Sequence, residues 1–131
     1  MTKLTSKRLL QITVGVLALV PLGASLSGML YGPEALGGAG GQASIDLDSH
    51  FRYLSGIFLG VGIGFLSCIP NIEQKGARFR LLTAFVVLGG LARLLSVLLV
   101  GAPSAPHLAG LGLELVVTPL VALWQWRISV P

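Results

Sequence analysis

Four apolar runs, each long enough to cross a lipid bilayer as a helix, constrain this chain more than any other feature. A hydrocarbon core about 30 Å thick needs roughly 20 residues of helix. The runs extend from Leu9 to about Leu30, from about Phe51 to Ile69, from about Phe79 to Val100 and from about Leu108 to Trp126. Only 11% of the residues are charged and 53% are hydrophobic, whereas soluble domains carry roughly 25% charged residues. A chain of 131 residues in water has no interior large enough for so much apolar surface. The expected fold is an all-α membrane protein, an antiparallel four-transmembrane-helix bundle, forming one domain over residues 1–131.

The basic residues set the direction. Lys3, Lys7 and Arg8 precede the first run, Lys75, Arg78 and Arg80 sit around the second connection, and Arg127 follows the last run. The long first connection, residues 31–50, carries Glu34, Asp46 and Asp48 instead. By the positive-inside rule both termini belong on the cytoplasmic side of a bacterial inner membrane, with Trp124 and Trp126 at the cytoplasmic interface. The N-terminal basic cluster and Gly23–Ser25 imitate a secretory signal, but the run is long enough to span, so it is expected to be retained. The glycine-rich first half of the 31–50 connection is expected to be flexible or extended. Asp46, Asp48 or Ser49 is expected to cap the second helix.

The net charge of +4 does not indicate nucleic acid, because the cations lie between apolar runs rather than in a patch among aromatics. The single cysteine, Cys68, excludes an internal disulfide and any multi-cysteine metal site.

Arg52, Arg93 and Glu114 lie in or near the spans, where an ionised side chain must face protein, pair, or line a wet cavity. Arg93 stands seven residues before Val100, and Glu114 seven residues after His107. At about 1.5 Å per residue, both sit about 10 Å below the outer boundary on sequential antiparallel helices. A salt bridge between them is expected. Arg52 shares a helical face with Asp48 and with Gly56, Gly60 and Gly64. Small residues on one face favour close helix packing, so that face is expected to be packed on protein, as are Gly89 and Gly90 on the third helix. His107, Gly110, Glu114 and Thr118 form a stripe on the fourth helix, and Pro119 frees a carbonyl beside Glu114. The outer half is thus expected to hold a polar centre of Asp48, His50, Arg52, Tyr53, Arg93, Glu114 and His107, over an inner half of apolar packing.

"HFRYLSG", "GGLAR" and "ELVVTP" (His50, Arg52, Tyr53 and Gly56; Gly89, Gly90 and Arg93; Glu114 and Pro119) resemble the small bacterial four-helix membrane proteins of domain-of-unknown-function family 4345. The resemblance covers about Leu9 to Arg127 and implies four spans in the inner membrane but no activity. The architecture is also distantly similar to DoxX-like four-helix membrane proteins, a likeness that carries no function.

Two functional readings lead. In the first, the polar centre binds a lipid or another amphipathic anionic ligand, because Arg52 and Arg93 outnumber Glu114 and the arginine fork suits phosphate and carboxylate. Its blander counterpart is two ion pairs, Asp48 with Arg52 and Glu114 with Arg93, that only lock the bundle. In the second, the protein is an accessory subunit packing through its glycine faces against a larger complex or a second copy. Catalysis by His50 with Asp48 or Glu114, assisted by Tyr53, has little behind it, since no nucleophile elbow, phosphate loop or zinc-helix motif occurs. Transport is also disfavoured, with four short helices and no inverted repeat. No cofactor or metal is implied.

Overall fold

A computed structural model describes residues 2–36 and 44–130. Among the described residues the chain is all-α, with no strand. Four helices are long and apolar enough to span a membrane: α1 (Lys3–Tyr31), α2 (Ile45–Cys68), α3 (Gly76–Val100) and α4 (Ala105–Ser129). Their apolar residues are largely exposed all round: Leu19, Leu30, Leu88, Leu98 and Leu99 are each more than 60% accessible. In water that surface would collapse or aggregate, whereas in lipid it is solvated.

Two local details differ from the sequence reading. The segment after α1 is not extended at its start, because Gly32–Leu36 forms a 3-10 turn. The expectation of flexibility further along falls on residues 37–43, which lie outside the described residues. The cap of α2 is Ser44, whose Oγ accepts the Leu47 N–H at 3.1 Å. The helix starts earlier than the apolar run, so Asp46 and Asp48 fall inside its first turn. There they oppose the positive end of the helix dipole.

The chain forms two compact units, Thr13–Ser67 and Met1–Ile12 with Cys68–Pro131. In the first, α1 and α2 pack with Val14, Ala18 and Ser25 buried. A Cβ on Gly62 would lie 3.1 Å from Leu22 Cδ2, and one on Gly28 would meet Phe51 and Ser55. The close approach thus runs through Gly28 and Gly62. Gly56 and Gly60, expected to be the packed face, have nothing within 4 Å of a would-be Cβ among the described residues. An i, i+4 spacing names a helix face but not its occupant.

In the second unit, α3 packs along α4. The turn from Ile69 to Lys75 is held by side chains from both ends of the chain. Gln11 Nε2 donates to the Ile69 carbonyl at 2.7 Å, Gln125 Nε2 donates to the Ile72 carbonyl at 2.9 Å, and Lys7 pairs with Glu73 at 2.9 Å. Trp124 Nε1 donates to Ser6 Oγ at 2.8 Å. Gln125, Leu10 and Ile72 are fully buried. This end was expected to be plain apolar packing. It is instead a polar knot, because a turn between spans has carbonyls that the helices cannot satisfy.

The Lys7 ammonium, donating to Glu73, holds that carboxyl below its ordinary value. A depressed carboxyl contributes stability above its unfolded pKa and loses it as pH falls through the folded value. Detergent-solubilised protein is therefore expected to lose thermal stability as pH drops below the ordinary carboxylate range. Glu73→Gln should flatten that acid limb. A wild-type acid limb unchanged in Glu73→Gln would remove the contribution.

Candidate functional site

The fourth helix contains a widened turn. Leu113–Val117 is π-helical within α4, and Leu113 O accepts both the Thr118 N–H and, at 2.8 Å, Thr118 Oγ1–H. Pro119 is the cause: it has no N–H for the Leu115 carbonyl, and its ring crowds that position. The helix resumes at Thr118, with Pro119 in its first turn, where a missing N–H is harmless. Such single widened turns often accompany functional sites.

The widened turn carries Glu114 against α3. Gly90 is the point of approach: a Cβ there would lie 2.8 Å from Glu114 Cβ and 2.8 Å from Leu115 Cδ2. Arg93, three residues on, shares the Gly90 face. Its guanidinium grips Glu114 with both prongs, Nε to Oε2 at 2.9 Å and Nη2 to Oε1 at 2.9 Å. Equal depth on adjacent antiparallel helices is enough to bring the two together, as expected. Gly110 leaves room for the guanidinium, whose Cζ would be 3.9 Å from a Cβ there.

His107 completes the cluster, with Nδ1 at 3.1 Å from Arg93 Nη1. Arginine has donors only, so Nδ1 must accept and the ring proton sits on Nε2. Arg93 has five N–H groups and three of them are engaged. The Glu114 side chain is 13% accessible, and that of Arg93 is 33% accessible. Among the described residues, the donors left without a partner are one N–H on each terminal nitrogen of Arg93 and the Nε2–H of His107.

Arg52 serves a different purpose. Its Nε and Nη2 hold Asp48 at 2.8 and 3.1 Å. Its Nη1 donates to the Met29 and Leu30 carbonyls at 2.6 and 3.0 Å. Those carbonyls belong to the last turn of α1, which has no intrahelical donors for them. Arg52 is thus a C-terminal clamp on α1, with its charge favourable against the helix dipole. Gly32 follows in the left-handed conformation, φ +61°. The space of its missing Cβ is taken by Asp48 Oδ1, with Arg52 Nη2 3.0 Å away. Gly32→Ala should cost about 1–2 kcal/mol from the backbone alone and disturb the clamp. Gly23, with nothing within 4 Å, is the control that should tolerate alanine. Thermal unfolding in detergent measures both, and equal melting shifts would contradict the clamp.

Several expected members do not join a polar centre. His50 is exposed, Tyr53 is 65% accessible, and neither side chain has a hydrogen bond to a described residue. Gly89, expected to be packed, has nothing within 4 Å of a would-be Cβ among the described residues, whereas a Cβ on Gly90 meets Glu114 and Leu115. The expected surplus of positive charge also disappears, because Asp48 balances Arg52 and Glu114 balances Arg93. The last-turn clamp on Met29 and Leu30 could not be read from the sequence, since a carbonyl acceptor has no signature there. His107 was legible through its stripe with Gly110 and Glu114.

No curated protein and no solved structure matches the chain. The family model described as Domain of unknown function (DUF4345) matches residues 9–125. That span takes in all three of the motifs read from the sequence and the whole of the Arg93, His107 and Glu114 cluster. The chain belongs to the DUF4345 family.

Proposed function

We propose that this protein binds the polar head of a membrane lipid or similar amphiphile at Arg93 and His107. The observation that carries the reading is the set of unused N–H groups on a guanidinium embedded in a spanning helix. In hydrocarbon an unsatisfied donor is costly, and an intramembrane ionisable group is a functional candidate by default. Toward the bilayer centre the same side of α3 is open, with nothing within 4 Å of a Cβ on Gly89 among the described residues and Phe85 about half exposed, so an acyl chain has a face to lie along. On the positive-inside reading, both termini are cytoplasmic in a bacterial inner membrane, and the head group enters from the outer leaflet.

The test is native mass spectrometry of protein extracted with its lipids. Wild type should retain lipid adducts, and an Arg93→Leu/Glu114→Leu double variant, which leaves no unpaired charge in this pair, should lose them. Equal retention by the two proteins would refute the site.

A second reading has its own support. Among the described residues nothing lies within 4 Å of a Cβ on Gly56, Gly60 or Gly89, which favours a subunit that packs these faces against a larger membrane complex or another copy of itself. Detergent-solubilised mass separates the two: a monomer carrying lipid favours the first, and an obligate complex the second.

A further inference from the structure

We infer that the occupant of the Arg93 and His107 site presents an uncharged carbonyl oxygen rather than an anionic group. The inference rests on the lipid-binding reading and sharpens it. Arginine attracts attention as an anion receptor, and the count of charged residues alone would support that. The geometry changes the balance. Arg93 contributes one positive charge, Glu114 one negative charge, and His107 none, because its Nδ1 accepts from Arg93. The cluster is therefore neutral before anything binds.

Its remaining chemistry is one-sided. Both Glu114 oxygens are held by Arg93, and His107 Nδ1 is used. Among the described residues three donors remain, an N–H on each terminal nitrogen of Arg93 and the Nε2–H of His107, against the spare lone pairs of a Glu114 carboxylate that is only 13% accessible. An acceptor meets these open donors directly, whereas a hydroxyl or amine acting as donor can reach only the largely covered Glu114 oxygens.

A bound carboxylate or phosphate would bring an uncompensated negative charge into a low-dielectric span. Neutralising it with Arg93 would draw the fork away from Glu114 and orphan a carboxylate that is 13% accessible. A carbonyl oxygen accepts one or two of the same N–H groups with no change in charge. Membrane amphiphiles offer that oxygen in two forms: the acyl ester of a glycerolipid and the ring carbonyl of a quinone.

The experiment uses the full chain in detergent, labelled with 15N-histidine. The two histidine signals are assigned by comparison with His107→Gln. Four probes are titrated: oleate, a diester phosphatidylcholine, its diether analogue without ester carbonyls, and a short-chain quinone. The expected result is a shift of the His107 Nε2–H signal by the diester or the quinone, with Nδ1 remaining the acceptor. Oleate should need at least about tenfold more probe for the same shift, equivalent to 1.4 kcal/mol. A response to the diester but not the diether assigns the acyl ester as the source, and a response to the quinone alone assigns the ring carbonyl. Tighter binding of oleate, with a shift at His107, overturns the uncharged-carbonyl inference while leaving the lipid site standing. No shift with any probe overturns both.

Discussion

Arg93→Leu or Glu114→Leu, made singly, is expected to destabilise the protein by about 3 kcal/mol, and the double change by clearly less than the sum. Each single change leaves one ion without its bidentate partner inside a spanning helix. The double change removes both ions and replaces them with side chains that suit the surroundings. The expected magnitude sits at the lower end for broken buried pairs, since Arg93 is one-third accessible and can redirect its fork. Unfolding in a single detergent, read as a double-mutant cycle, gives the coupling energy. Additive losses would mean that the 2.9 Å contacts contribute nothing to stability.

Adjacent glycines on α3 are expected to respond in opposite directions. Gly90→Ala places a methyl 2.8 Å from Glu114 Cβ. That atom is anchored to the α4 backbone and cannot swing away, so α3 and α4 must separate. Overpacking of this kind costs about 1–3 kcal/mol, and separation also stretches the Arg93 grip on Glu114. Gly89→Ala meets nothing within 4 Å and should stabilise α3 by up to about 1 kcal/mol through helix propensity. Melting temperatures in detergent decide it. A Gly90→Ala protein as stable as Gly89→Ala would show that the helices do not approach closely at this point. A loss at Gly89 would instead point to a partner covering that face, as the subunit reading requires.

What the sequence revealed about this fold follows from which physical rule governed each residue. Four spans were legible because lipid imposes a minimum helix length and forbids unsatisfied backbone. The Arg93 and Glu114 pair was legible because rise per residue converts sequence distance into depth, and opposite charges at one depth have few alternatives. Pro119 marked the place where α4 would be perturbed, although the form of the perturbation, a π turn over Leu113–Val117, depends on how the downstream register is recovered. The glycines were less legible. Gly90 packs against α4 as expected, but the spacing that identified Gly56, Gly60 and Gly64 as one face did not reveal that the close approach of α1 and α2 runs through Gly28 and Gly62. Contact depends on the partner helix, which a repeat does not encode. Arg52 was expected to point inward because it shares a face with Gly56, Gly60 and Gly64, yet its role as a clamp depends on carbonyls of α1 brought alongside by packing. The polar turn at Ile69–Lys75 escaped notice because Gln11 and Gln125 lie within otherwise apolar runs and gain meaning only when they meet the same turn.

The central claim is that Arg93 and His107 hold the polar head of a lipid. A high-resolution map of the protein in lipid nanodiscs tests it most directly. Elongated density lying along α3 past Gly89 and Phe85, with its polar end within hydrogen-bond distance of Arg93 Nη1 or Nη2 and His107 Nε2, is the predicted result. A site whose free N–H groups meet only water, or the carbonyls of a neighbouring protein subunit, would contradict it.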